Sequence, residues 1–265
     1  EVRDKIKSGI TWYVIPMLNP DGASRFTRRN HYGIDINRDA LQLQTPEGRT
    51  LKHVRDSVNA EWGFNLHDQG RGSAVEGKPA TISLLAPAFN FAQDENETRS
   101  DAMQLTKHMF DQITNYIPGQ IGIYPSDFEP RAFGDNIQKW GTRTILIESG
   151  GLEDDWEKEK IRRLNFVLLL TAMESIASKS YEKTPVKDYY KIPSNSGGRI
   201  RELIVKNVTF EGLVRDVAFE RTEKDSEDFR NYYAKSYIMD LGDLSTSVAY
   251  FNLDAAGYEV LPGKV

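Results

Sequence analysis

The stretch from Asn19 to Asp39 reads NPDGASRFTRRNHYGIDINRD and holds Arg25, Arg28, Arg29 and Arg38 together with Asn30 and Asn37. A planar guanidinium beside a carboxamide can grip a carboxylate through parallel, charge-assisted hydrogen bonds. The same stretch also has Asn-Pro-Asp-Gly turn chemistry, and a plain surface loop with scattered arginines would look similar. Two later segments weigh against the plain loop. FNLHDQG places His67 after a short apolar run, and TILIESGG places Glu148 at the end of another. A strand end is where open α/β sheets put their chemistry.

Taken together, the Asn-Pro-Asp-Gly turn, the pattern R-x-N-x-x-G-x-D-x-N-R from Arg28 to Arg38, and the strand-end His67 and Glu148 resemble the zinc carboxypeptidase family of the carboxypeptidase A type. The likeness covers about the first 180 residues in order and rough spacing. It implies removal of a C-terminal residue from a peptide, with Zn2+ as cofactor. Such a reaction needs an activated water, a stabilised oxyanion, a held terminal carboxylate and a proton for the leaving amine. The resemblance gives His67 as one metal ligand and Glu148 as the general base. Arg28 is the oxyanion stabiliser, with Arg29 or Arg25 as alternatives because the register is loose, and Asn37 with Arg38 is the carboxylate clamp. Tyr124 is the nearest residue to a mobile tyrosine that the family carries before its base, and its spacing matches loosely.

One piece of the pattern is missing. The family's other two zinc ligands come from H-x-x-E, ahead of the Asn-Pro-Asp-Gly turn; here 18 residues precede Asn19 and none is histidine. None of the four histidines has glutamate three positions on. His53 and His108 each have aspartate there (Asp56 and Asp111) and read as surface pairs on helices. The expectation is therefore the C-terminal part of a longer enzyme, inactive as it stands, with a missing N-terminal segment or another chain covering the sheet. Alternatives are a zinc-dependent N-acyl amino acid deacylase on the same scaffold, or a non-catalytic module that binds carboxylates or peptide C-termini.

The elements that must position these residues follow from patterning. EVRDKIKSG reads as the tail of a helix. Thr11 to Leu18 (TWYVIPML) is nearly continuous in apolar residues and predicts a central strand buried on both faces, with Pro16 near its end. A helix is expected over Leu51 to Trp62, a strand over Phe64 to Leu66, a mobile loop over Gly70 to Gly77 and a strand over Thr81 to Leu85. A helix over Glu95 to Tyr116 precedes a long loop, Pro118 to Lys139. Thr142 to Ile147 is the strand that delivers Glu148. A last helix begins at the acidic Glu153, Asp154 and Asp155 and runs to Lys179.

Lys183 to Ser196, rich in Pro, Lys and Tyr, reads as a linker. Strand-like segments follow at Ile200 to Thr209, Leu213 to Phe219, Tyr237 to Leu241 and Ser247 to Leu253. The expected fold is α/β: a mixed, mostly parallel sheet flanked by helices over residues 1–182, with a small β-rich, sandwich-like appendage over 190–265.

Composition narrows the partners. A net charge of -5 lacks the basic face that nucleic-acid binding requires. No apolar run approaches the roughly 20 residues of a membrane helix. The absence of cysteine removes disulfides and thiolate ligands. The expected partner is a peptide or small carboxylate. The compartment stays open, with an extracellular or periplasmic setting weakly favoured.

Overall fold

The computed structural model describes residues 2–196, 200–227 and 231–258. Of the β-rich region expected over 190–265, residues 197–199, 228–230 and 259–265 lie outside the described residues, as does Glu1.

The chain opens with helix α1 (Val2–Gly9) and a short helix α2 (Pro20–Ser24), capped by Asn19, whose Oδ1 accepts from the Gly22 N–H. Helix α3 (Pro46–Val58) has Thr45 as its cap and Pro46 at the first turn, where no N–H is needed. Strand β1 (Trp62–Asp68) follows, then a small hairpin of β2 (Ala74–Val75) and β3 (Lys78–Pro79), and β4 (Ile82–Leu85). Helix α4 (Glu97–Ile113), capped by Asn96, leads to β5 (Ile121–Ile123), α5 (Phe133–Lys139), β6 (Arg143–Ser149) and α6 (Glu159–Ser178).

The first sheet runs β1-β6-β4-β5, with β1 and β6 parallel, β6 and β4 antiparallel, and β4 and β5 parallel. Alternation along these strands gives the sheet two unlike faces. Ile82, Leu84, Ile145 and Ile147 point to one, where α4 and α6 cover them with Met103, Leu105, Met109, Ile161 and Leu168. The opposite face carries His67, Glu148 and Ser83, which are register neighbours across three strands. Helix α5 lies on that side: Gly134 comes close to Asn65, and Ile137 to Gly63.

The C-terminal region forms a second sheet from β7 (Ile200–Phe210), β8 (Leu213–Asp225), β9 (Tyr232–Gly242) and β10 (Val248–Asp254), in the order β10-β7-β8-β9. It is one mixed sheet, β10 and β7 being parallel, and the described residues form no second layer of a sandwich. The molecule is thus mixed α/β with a β-rich C-terminal region. Among the described residues no helix is long and apolar enough to cross a membrane.

Several expectations are corrected. Thr11 to Leu18 is not a central strand: it has no regular structure, and Tyr13, Val14 and Met17 are 60% exposed or more. A central strand needs a ladder partner on each side and a layer over each face. Among the described residues the one ring stacking of this segment is Trp12 on Phe64 of β1, at 6.3 Å. Gly70 to Gly77 is not a free loop, because Ala74 and Val75 are fully buried in the hairpin. Pro118 to Lys139 contains β5 and α5. Helix α6 starts later than its acidic stretch, because Asp155 caps it by accepting from the Lys160 and Ile161 N–H groups.

The segment read as a linker is packed into the core. Tyr189 and Ile192 are buried, the Ala86 N–H donates to the Tyr189 hydroxyl, and Asn195 donates to Ser83 Oγ. Among the described residues His53 and His108 make no hydrogen bond with the aspartates three positions on, although Asp111 is near enough to His108 to favour its charged form. Asp56 is held by Lys52 and Arg55, and Asp111 by Lys107. A flexible lysine four residues earlier on the same helix face reaches the carboxylate better than a short imidazole does.

Candidate functional site

His67 and Glu148 occupy the same register position on parallel neighbours β1 and β6, so their side chains leave one face side by side. Ser83 of β4 continues the row beyond Glu148, and Gln69 and Asn195 both donate to its hydroxyl at 3.1 and 3.0 Å. A cleft of about 300 Å³ opens above this row. Its walls include Arg28, Asn37 and Arg38 from the loop after α2, Tyr124 from the end of β5, and Glu129 and Asp135 from the approach to α5. Every residue expected to act is therefore on one cavity: His67, Glu148, Arg28, Asn37 and Arg38.

The arginine-rich loop owes its shape to its polar residues. The Asn30 carboxamide oxygen accepts from the Tyr32 and Ile34 N–H groups, and Gly33 makes the turn at φ +74, which favours glycine. Asp35 then does two things at once. Its Oδ1 accepts from the Asn37 N–H at 3.0 Å, capping the 3-10 turn Ile36–Arg38, while its Oδ2 takes Arg28 Nε at 2.7 Å. This ties Arg28 to the Asn37-Arg38 pair. Arg29 instead donates to the Gly33 carbonyl, and of Arg25, Arg28 and Arg29 only Arg28 lines the cleft.

Asn37 and Arg38 are fixed from the other wall. Asn37 Oδ1 accepts from the Phe133 N–H at 2.8 Å, supplying the cap that Ala132 cannot give to α5. Its Nδ2 donates to no acceptor among the described residues. Arg38 donates from Nη1 to the Asn37 carbonyl and pairs through Nε with Glu129 at 3.2 Å. Its Nη2 hydrogens make no bond among the described residues, so one edge of the fork stays available.

The electrostatics separate the roles. Glu148 is 6% exposed, and Oε2 has no hydrogen-bond partner among the described residues. Burial, with Asp68 adding repulsion, pushes its carboxyl up to about 7, against the opposing pull of Arg28 and Lys158. A carboxylate poised near neutrality can both take and return a proton. His67 is shifted the other way. Burial first, then Arg28 and Arg38 against the opposing pull of Asp35, holds its imidazole below the usual histidine range, which favours the neutral ring that can accept a proton or ligate a metal. Tyr124 is raised by burial and by Glu148.

Catalytic zinc takes three protein ligands and an open position. Among the described residues no three His, Cys, Asp or Glu side chains converge as a metal-binding group. His67 is a neutral imidazole beside a buried carboxylate, one ligand of the kind required, but the described residues do not complete a zinc site.

Glu129, Asp135 and Asn65 line the cleft without having been singled out from sequence, and Tyr124, named there only as a poor match in spacing, lines it as well. A signal existed for Tyr124, since it ends the apolar run IGIY as His67 and Glu148 end theirs, but β5 has only three residues and reads as loop. No protein-family model matches this chain, and no curated protein matches it.

Proposed function

We propose that the cleft is the substrate-carboxylate and general-base part of a metallocarboxypeptidase-type hydrolase, which removes C-terminal residues from peptides. The observation that carries this reading is the convergence on one cavity of a buried, proton-hungry Glu148, a neutral His67 and an Arg-Asn pair with free donors. The sequence likeness to zinc carboxypeptidases supplies the reaction.

In this reading Asn37 Nδ2 and Arg38 Nη2 hold the terminal carboxylate of the peptide. The scissile carbonyl then lies towards Arg28, whose outer nitrogens face the developing oxyanion, an interaction typically worth about 3 kcal/mol. Glu148 accepts the proton of the attacking water and delivers it to the leaving amine. His67 would contribute one of three ligands to zinc. The described residues do not supply the other two.

That shortfall favours a second reading, a carboxylate-binding module without turnover. Calorimetry with a short peptide bearing a free or an amidated C-terminus tests what the two readings share. Binding should fall at least about tenfold on amidation, the value of one charge-assisted contact. Equal binding of both peptides would sink the clamp. Mass spectrometry of the free peptide incubated with zinc then separates the readings. Stepwise C-terminal loss that disappears in Glu148→Gln supports the hydrolase and overturns the module.

A further inference from the structure

The C-terminal sheet carries a hollow of its own, which shares no lining residue with the cleft. Phe251, Leu203 and Phe219 are register neighbours across β10, β7 and β8, so alternation brings their side chains out in one apolar row. Trp156, from the segment between β6 and α6, stacks beside the row: its indole is 6.3 Å from the Phe251 ring, with 10° between the planes. These four side chains wall a hollow of about 300 Å³, and Trp156 and Phe251 remain exposed. A space of that size suits a single ring with a short chain.

The charges around the hollow do not balance. Glu202 is engaged through Oε1 by Arg71 Nε at 2.7 Å, with Oε2 buried, and Glu220 accepts from Arg201 Nη1 at 3.3 Å. Arg221 lines the same hollow and makes no hydrogen bond or ion pair among the described residues. Glu157, next in the chain to Trp156, accepts from the Tyr232 hydroxyl at 3.3 Å. Three guanidinium groups thus meet two engaged carboxylates, and the surplus charge is positive. Aromatic walls with acidic residues would ordinarily suit a cation. Here that role is taken, because Arg71 and Arg221 both lie over the Trp156 ring, at 4.2 and 4.4 Å from its centroid. A third cation would add repulsion.

We infer that this hollow binds an aromatic carboxylate of one ring, the ring against Trp156, Phe219 and Phe251 and the anionic group paired with Arg221. A free guanidinium can give a carboxylate two parallel hydrogen bonds. Apolar area supplies the attraction for the ring, and the charge selects among rings. The inference is independent of the reading of the cleft.

The test is calorimetry on the whole chain carrying Arg38→Ala, so that the proposed clamp of the cleft does not hold the ligand. The probes 3-phenylpropionate, 3-phenylpropanamide and 3-phenylpropylamine share one shape and differ in charge, and butyrate keeps the acid without the ring. The aromatic acid should bind at least about tenfold more tightly than the other three. Adding Arg221→Gln should bring it down to the level of the amide, whereas Arg221→Lys should keep part of the preference. A melting temperature close to the parent's shows that either variant is folded. A tripeptide ending in phenylalanine separates two sources of the same chemistry, and either answer supports the hollow: binding like that of the free acid names a peptide terminus, and binding of the free acid alone names a small molecule. Equal binding of acid and amide, or tighter binding of the amine, overturns the anion site. Equal binding of butyrate overturns the aromatic wall. An acid preference that survives Arg221→Gln overturns the assignment to this residue.

Discussion

His67 and Glu148 are direct register partners on adjacent parallel strands, so a neutral imidazole and a buried carboxyl stand shoulder to shoulder on the open face of the sheet. Parallel pairing keeps the two side chains on the same side for as long as the register holds. A slip of one residue would turn one of them into the helix-covered core.

The carboxyl of Glu148 gives a pH signature in stability. Its folded value of about 7 lies above its ordinary 4.5, so the folded state binds the proton more tightly than the unfolded chain does. Stability should therefore decline as pH rises from about 4.5 to about 7, by on the order of 1–3 kcal/mol. Denaturant melts at pH 5 and pH 8 measure this. Glu148→Gln should flatten the difference and be the more stable protein at pH 8. An equal pH dependence in both would contradict the burial of this group.

Arg38 should matter for ligands and little for folding. Its side chain is partly exposed and pairs with Glu129 at the surface, a contact worth less than about 1 kcal/mol. Arg38→Ala is expected to melt close to wild type and to weaken free-carboxylate peptides by roughly 10-fold or more. Amidated peptides should be unaffected. Equal weakening of both peptide types would mean that the residue shapes the cleft and does not grip the carboxylate.

Asn37 has two separable jobs. As the remote cap of α5 it should cost about 1 kcal/mol of stability when replaced by alanine. Asn37→Asp keeps an acceptor for the Phe133 N–H but removes the amide donors and adds a negative charge. That variant should retain stability near the wild-type value and lose carboxylate binding. Thermal melts paired with calorimetry read the two jobs independently.

Gly151 tests how the C-terminal sheet is joined to the site. A Cβ there would lie 2.0 Å from the Tyr250 hydroxyl, which donates to the Arg71 carbonyl at 2.9 Å. Gly151→Ala should destabilise by about 1–3 kcal/mol through overpacking. Adding Tyr250→Phe removes the clashing oxygen and should recover part of that loss in a double-mutant cycle. No coupling between the two positions would mean that the contact is not made in solution.

Much of the site was legible because its residues end apolar runs or sit in a dense polar motif. The spacing of Arg28, Asn30, Gly33, Asp35, Asn37 and Arg38 has a local cause in each case, since side-chain oxygens close the turns within a few residues. What sequence could not show depends on distant partners. The α5 wall hid inside an apparent loop, because its first turn is capped by Asn37 from 96 positions away. Thr11 to Leu18 carries the pattern of a buried strand, yet a pattern cannot supply neighbours on both edges. The packed course of Lys183 to Ser196 was invisible for the same reason: Pro, Lys and Tyr read as connector until Tyr189 meets Ala86 and Asn195 meets Ser83.

That last segment reaches further than its sequence position suggests. Pro193 and Asn195 lie close against Gly122, in the row that runs from Ser83 to Glu148 and His67. A protease nick between 183 and 196 should loosen this packing, let water reach the row beneath Glu148 and draw its carboxyl back towards the ordinary glutamate range. On this expectation an intact backbone far from the arginine loop helps to set a proton affinity in the cleft.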